Sequence, residues 1–265
     1  MKVGRLEIVP LLDGGARLPA DRLLRFTGPR DDPWGPHRGL LEPDGSLALT
    51  MGGFLVRTGD RVVLVDTGVG RIDNGVYRGG AFLESLTGAG VTPAEVTDVV
   101  LTHLHFDHVG WATQKGEIVF GHATYRCHAA DWDHFVAGPD PEEGSVRKLT
   151  PLTGRLELFA GDAEVAPGVS VRHAPGHTPG SAVVVISDGA ERALLLGDAV
   201  HCPVELEEDD WEAVVDVDPA LAARTREALA RELEGTDVPM AAAHFPDLRF
   251  GRLLPGTGRR RWVFS

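Results

Sequence analysis

The sequence predicts a mixed α/β (α+β) protein with two β-sheets and helices on their outer faces, and three observations predict it. Short, β-branched runs bounded by Gly, Pro or Asp recur along the 265 residues, the pattern of strands rather than of long helices. Two hairpin-like arrangements, "FLVRTGDRVVLVD" and "VISDGAERALLLGD", stand one in each half of the chain. Helical signals are fewer and follow strands, which places helices over sheets. Residues 1–265 are therefore read as a single domain of two similar halves.

In chain order, "LEIVPLLDGG" is an opening strand. Residues 14 to 46 mix Pro, Gly, Trp and acids without a period, and are expected to form a loop, either a surface connection or a cover over a site. "GGFLVRTGDRVVLVDTG" is two strands about a tight "TGD" turn. "GAFLESLTGAG" is a helix ending on Gly, and "TPAEV" starts another with a Thr cap and Pro. "TDVVLTH" is a strand, residues 131 to 154 are a second irregular stretch, and "SAVVVISDG" and "RALLLGD" pair as strands. In "DPALAARTREALARELEG" a cap, a first-position Pro and a terminal Gly frame a helix; Leu221, Thr225, Ala228, Leu229 and Leu233 share the face expected to pack on a sheet.

Composition narrows the class. With 43% hydrophobic and 25% charged residues, the chain can bury a sizeable core and is neither disordered nor fibrous. A net charge of -13 repels polyanions and argues against nucleic acid as a partner, the local "GRRRW" notwithstanding. No run approaches the ~20 apolar residues of a membrane span, so no membrane partner is expected. Cys127 and Cys202 make no secreted disulfide framework and are expected to be reduced, in a cytoplasmic protein.

One stretch carries chemistry. "THLHFDHVG" packs three histidines and an aspartate into six residues directly after a strand. In an extended segment His103 and His105 point to the same side, while Asp107 and His108 follow at the turn and diverge. Four such donors suit two neighbouring metal ions better than one, His103 and His105 on the first and Asp107 and His108 on the second. Further along, "APGHTPGS" sets His177 between two Pro-Gly corners, "LLLGDAVH" ends a strand with Asp198, and "PMAAAHFP" ends an apolar run with His244. His122, His128, His134, His173 and His37 lie outside any motif and are left out of the metal set.

Together "THLHFDH", "GHTPGS", "LLLGD" and "AAHF" resemble, in order and over nearly the whole chain, the motifs of the metallo-β-lactamase-fold hydrolase superfamily. The resemblance implies a four-layer αββα sandwich with a site at one edge of the sheets. It implies that His103, His105 and His177 hold one metal, that Asp107, His108 and His244 hold another, and that Asp198 bridges them. Two zinc ions are the implied cofactor, with iron, manganese or cobalt as other ions the site could take. The implied chemistry is hydrolysis by a metal-bridging hydroxide, because such a site lowers the pKa of bound water from about 15.7 to about 7. Asp66 in "LVDTG" is expected to orient a ligand imidazole from the outer shell or to cap a turn.

Within the superfamily, the closer likeness is to the branch of acyl-homoserine lactonases and methyl parathion hydrolase. A small-molecule lactone, carboxylester or phosphotriester-like compound is therefore the expected substrate, with a homodimer left open. Lactonases of that branch commonly carry Tyr three residues after the bridging Asp; here the position is His201, a proton donor, an oxyanion partner or a buried histidine. Tyr77 or Tyr125 replaces that phenol only if folding brings one close. Asp107, His201 and Asp66 are the expected catalytic side chains. Phe106, Phe245 and Trp111 are the expected substrate-binding ones, with Trp34, Trp132 and Phe135 dependent on the irregular segments. Two alternatives stand beside this reading: an oxidoreductase resembling the mononuclear iron persulfide dioxygenases, and a thioester hydrolase of the same fold.

Overall fold

Alternation along the strands sorts side chains into layers. In Arg61–Val65, Val63 and Val65 enter one core and Leu64 a second. In Ala182–Asp188, Ala182, Val184 and Ile186 share the first core while Val183 enters a third. Both strands are thus covered on both faces, and a computed structural model describing residues 1–265 shows by what.

The first sheet runs, in spatial order, Lys2–Val3, Leu6–Pro19, Ser46–Thr58, Arg61–Val65, Asp98–Val100, Thr124–His128 and Leu156–Phe159, with Tyr77–Arg78 also paired to Leu6–Pro19. The second runs Ala163–Ala166, Val169–His173, Ala182–Asp188, Glu191–Leu195, Met240–Ala241, Gly251–Leu254 and Arg261–Phe264. The sheets face each other across a core of small β-branched side chains such as Val56, Val65, Val171 and Val184. Phe82 and Leu86 of the helix Phe82–Gly88, with Leu149 and Leu152, cover the outside of the first sheet. Leu229, Ala230 and Leu233 of the helix Pro219–Leu233 cover the outside of the second. This is the expected αββα arrangement.

Each sheet holds an antiparallel hairpin followed by a parallel step. Ser46–Thr58 and Arg61–Val65 form the first hairpin about Gly59, at φ +59°, and Arg61–Val65 then pairs parallel with Asp98–Val100. Ala182–Asp188 and Glu191–Leu195 turn at Gly189, and Glu191–Leu195 pairs parallel with Met240–Ala241. Both expected hairpins are therefore present.

Three expectations need correction. The opening strand does not stop at residue 14 but runs to Pro19, with a register shift between Leu12 and Gly14. Gly14 reads as a breaker; it is needed because a Cβ there would lie 1.9 Å from the carbonyl oxygen of Arg78 in the strand alongside. Residues 131 to 154 are largely helical, including Glu143–Leu149 and a 3-10 turn over Thr150–Arg155, and they bury Leu149 and Leu152 completely. The inward stripe of Pro219–Leu233 is Ala222, Arg226, Leu229, Ala230 and Leu233, rotated so that Ala228 is exposed. An arginine on the inside of a helix is what periodicity alone does not anticipate.

What remains of residues 14 to 46 does cover one end of the sandwich. Leu24–Phe26 pairs with Trp211–Ala213, and Leu23, Leu24, Leu49, Met51 and Trp211 share a small core of their own. Cys127 and Cys202 are buried free thiols, and no helix is long and apolar enough to cross a membrane.

Candidate metal centre

Parallel strands deliver polar residues at their carboxyl ends, the edge where α/β sheets open a crevice. Arg61–Val65 leads into Asp66, Asp98–Val100 into the stretch from His103 to His108, Glu191–Leu195 into Asp198, and Met240–Ala241 into His244. His177 arrives on the turn before Ala182–Asp188. All are buried except His105, which is partly so. The fold brings the seven predicted donors together in overlapping groups whose ligand atoms lie within 4.8 Å: His103, His105 and His177; His103, His108 and Asp198; Asp107, His108 and His244.

Hydrogen bonds fix which nitrogen of each ring faces inward. The hydroxyl of Thr102 donates to Asp66 at 2.8 Å, so His103 donates its Nδ1 proton to that oxygen at 3.2 Å. His108 Nδ1 donates to Asp66 Oδ2 at 2.8 Å, His177 Nδ1 to Asp216 Oδ1 at 3.1 Å and His244 Nδ1 to the Thr50 carbonyl at 3.0 Å. In all four rings Nδ1 donates outward, which turns the Nε2 atoms into the same space, where a bound cation would take their lone pairs. His105 Nδ1 completes the set, 3.1 Å from His103 Nε2 and 2.9 Å from His177 Nε2.

One proton cannot serve three converging lone pairs, whereas a divalent cation can. The second group poses the same problem: His244 Nε2 lies 3.0 Å from Asp198 Oδ2 and His108 Nε2 3.3 Å from Asp198 Oδ1. His108 Nε2 and Asp198 Oδ1 are buried without a hydrogen-bond partner, a costly state for polar atoms with nothing to hold. Imidazole nitrogens with carboxylate oxygens fit a divalent transition metal.

The field is divided. Burial opposes charge on His103 and His105, neighbouring imidazoles add to that, and both fall below the ordinary imidazole range, His105 to about 4. Burial also opposes charge on His108 and His244, but Asp198 and nearby carboxylates outweigh it and raise both. One side offers lone pairs and the other attracts positive charge.

A cavity of about 290 Å³ opens over these groups, lined by His105, Asp107, His177, Asp198, His201 and His244 and walled by Leu18, Leu23, Leu49, Met51, Phe106 and Val215. Phe106 stands at its mouth, 46% exposed, its ring edge-on to Tyr77 at 5.1 Å. His201 reaches the cavity with Nε2 3.5 Å from Asp198 Oδ2. Asp66 sits behind His108, outside the cavity wall.

Trp111 and Phe245, expected to line the pocket, do not. Trp111 is buried in the outer core of the first sheet with its indole N–H on Asp13, and Phe245 packs edge-on against Trp262 in the outer core of the second. Phe245, next to His244, turns to the other side of the chain into the outer core, and Trp111, three residues beyond His108, is drawn into the first sheet's outer core by its bond to Asp13. Trp34 packs on Trp211, Trp132 joins the outer core of the first sheet, and Phe135 backs His105 at 5.3 Å without lining the cavity. Tyr77 does line it, whereas Tyr125 is buried in the core.

Sequence reasoning missed Thr102, Thr50 and Asp216, which hold the imidazoles, and the apolar wall supplied by Leu18, Leu23, Leu49, Met51 and Val215. Apart from Thr102, which opens "THLHFDH", none stands in a motif. A larger polar groove of about 710 Å³ elsewhere is lined by ions that pair with one another, such as Arg30 with Glu208 and Arg260 with Asp209.

Residues 53–244 match the family model of the metallo-beta-lactamase superfamily. An N-acyl homoserine lactonase of a Bacillus species is 27% identical over 212 residues, covering 72% of this chain and 81% of the relative. A probable metallo-hydrolase of Mycobacterium tuberculosis is 31% identical over 189 residues, 58% of each chain. Among solved structures, the dizinc quorum-quenching lactonase AidC superposes with a TM-score of 0.84 at 24% identity, over 99% of this chain and 95% of AidC. The hydrolase AbOPH superposes with a TM-score of 0.85 at 22% identity, over 99% and 95%. These two likenesses bear on the fold.

Proposed function

The chain belongs to the metallo-beta-lactamase superfamily and is a metal-dependent hydrolase, and from that premise we propose that it holds two zinc ions and hydrolyses a small-molecule lactone, carboxylester or phosphotriester-like compound. The observation that carries the proposal is the convergence of lone pairs from five histidines, with two carboxylates, beneath one apolar cavity. In this reading His103, His105 and His177 form the first ligand group and Asp107, His108 and His244 the second, with Asp198 shared. When bound, such a pair of ions supplies hydroxide at neutral pH and positive charge beside the oxygen of the scissile group.

The chain's own residues do the rest. Asp66 and Asp216 hold His108 and His177 by their outer nitrogens. The apolar wall takes an acyl or aryl group and excludes water, and the cavity's size, near the lower end for small-molecule sites, suits a modest one. His201, buried with both ring nitrogens free of hydrogen bonds, is placed to donate to a developing oxyanion or to a leaving group. Tyr77 also lines the cavity and offers it a phenol, from a different part of the chain than the position three residues after the shared Asp, which is His201; this supports lactones as the first compounds to try. A single domain over residues 1–265 and a cytoplasmic setting, supported by two unbridged buried thiols, belong to the same proposal.

The test is metal analysis of protein purified without added metal, with a panel of lactones, aryl esters, thioesters and phosphotriesters. About two zinc per chain with lactone, ester or phosphotriester turnover is expected. One iron with oxygen-dependent turnover would replace the proposal with a dioxygenase, and activity confined to thioesters would move the chain to another branch.

A further inference from the structure

Behind the cavity lies a buried ionic network that the proposed chemistry does not itself require. Arg226, on the inner face of Pro219–Leu233, is 3% exposed. Its Nη1 donates to Asp216 Oδ2 at 3.0 Å and lies 3.5 Å from Glu205 Oε1. Asp216 accepts the Nδ1 proton of His177 with its other oxygen. Glu205 Oε2 accepts the backbone N–H groups of His201 and Cys202 at 2.6 and 2.9 Å and stands 3.6 Å from His201 Nδ1. One guanidinium therefore faces two carboxylates, one hydrogen-bonded to the His177 imidazole and the other to the backbone of His201, 3.6 Å from its ring.

We infer that Arg226 is a positioning residue for this site, fixing His177 through Asp216 and the non-ligand His201 through Glu205. The inference rests on reading His177 as a ligand and His201 as a substrate-facing group. Three observations support it. A buried ion network contributes little to stability beyond what apolar side chains of the same volume provide, so packing alone does not account for an arginine inside a helix. A single nitrogen, Nη1, faces both carboxylates, so a positive charge at that one point is what links them. The helix is also seated against the His177 loop: Gly176 is at φ +133° and a Cβ on it would lie 2.2 Å from Ala222 N, while Thr225 Oγ1 donates to the Pro175 carbonyl and Val217 N to that of His177. Without the guanidinium, Asp216 and Glu205 repel each other across the space it fills, and at least one shifts from its bond to His177 or to the His201 backbone.

The test is Arg226→Met, which keeps length and apolar stem, alongside Arg226→Lys, with the wild type and His201→Ala as the two backgrounds. The readouts are metal content, the visible absorption of the cobalt(II)-substituted protein, and kcat and KM for N-hexanoyl-homoserine lactone. Arg226→Met is expected to keep its metals, to shift the cobalt bands, and to lower kcat about 10-fold with KM changed less than about threefold. Arg226→Lys is expected to recover most of that loss. In the His201→Ala background Arg226→Met should cost less than about threefold, since coupled residues are not additive. An unchanged cobalt spectrum and kcat with only a lower Tm would make Arg226 a packing residue and overturn the inference. The same fold-loss in both backgrounds would overturn its action through His201. If Arg226→Met does not fold, Glu205→Gln, which retains an oxygen for the two backbone donors, carries the His201 cycle and Asp216→Asn the cobalt measurement. A wild-type protein that binds no metal or turns over no compound of the panel would instead defeat the proposed function, a separate failure.

Discussion

Asp66 Oδ2 accepts the Nδ1 proton of His108 at 2.8 Å, and it does so from a backbone held at φ 61°. A non-glycine residue in that region costs on the order of 1 kcal/mol, least for Asp and Asn. Thr102 steadies it with two more hydrogen bonds, from its backbone N–H to Asp66 Oδ1 and from its hydroxyl to Oδ2. Asp66→Asn keeps the backbone tolerance and removes the charge. Affinity for metal in the Asp107, His108, His244 group should fall about 10- to 100-fold, as measured by chelator competition. Unchanged affinity would return Asp66 to the role of a turn cap.

His244 and Asp198 should separate the two groups of donors. His244→Ala is expected to weaken metal in the Asp107 and His108 group first, because His103, His105 and His177 remain complete. Asp198→Ala removes the carboxylate facing both groups, so metal content and hydrolysis should fall together. Titration with a metallochromic chelator resolves the two cases, and equal loss from both groups in His244→Ala would refute the division.

His201→Ala should lower kcat by on the order of 10²-fold with metal content intact. If His201 protonates the leaving group, the defect shrinks for nitrophenyl esters and stays large for alkyl esters. An oxyanion role gives the same defect for both. Unchanged rates on every compound the wild type hydrolyses would make His201 structural.

The aromatic residues should divide by place in the fold rather than by closeness to the motifs. Phe106, at the cavity mouth and 46% exposed, should raise KM several-fold when changed to Ala with little effect on Tm. Phe245, fully buried against Trp262, should cost about 3–5 kcal/mol of stability as Ala. Denaturant unfolding with steady-state kinetics checks both, and a KM effect of Phe245→Ala at intact stability would place it in the cavity after all.

Asp131 ties the His177 turn to the outer helices, accepting from Thr178 Oγ1 at 2.9 Å and Gly180 N at 2.6 Å. Burial, only partly offset by these bonds, pushes its carboxyl up to about 6. Between an unfolded value near 4 and this folded value the native state holds the extra proton. Its contribution is therefore full at the acid end and declines as pH rises through roughly 4 to 6, by about 3 kcal/mol in all. Asp131→Asn takes no part in that titration, so the stability of wild type relative to the variant should fall across the window. A difference independent of pH would rule this out.

The metal donors were legible because their signal is local or sits at strand ends. In "THLHFDH" four donors crowd into six residues just beyond the strand Asp98–Val100, and an acid or histidine closing an apolar run, as Asp198 and His244 do, is delivered to the sheet edge with the strand. Both hairpins, the capped helix at Pro219 and the layering of the sheets follow from period and turn chemistry of the same short range. Tertiary structure alone decided what the neighbours of those residues do. Whether Phe106 or Phe245 faces the cavity depends on which way one step of chain turns, and both follow an equally suggestive pattern. Asp216 meets His177 across 39 residues, Arg226 meets Glu205 across 21, and Thr50 meets His244 across 194. Such pairings leave no periodic trace, because they are set by how two sheets and a helix pack and not by the rise of any one element.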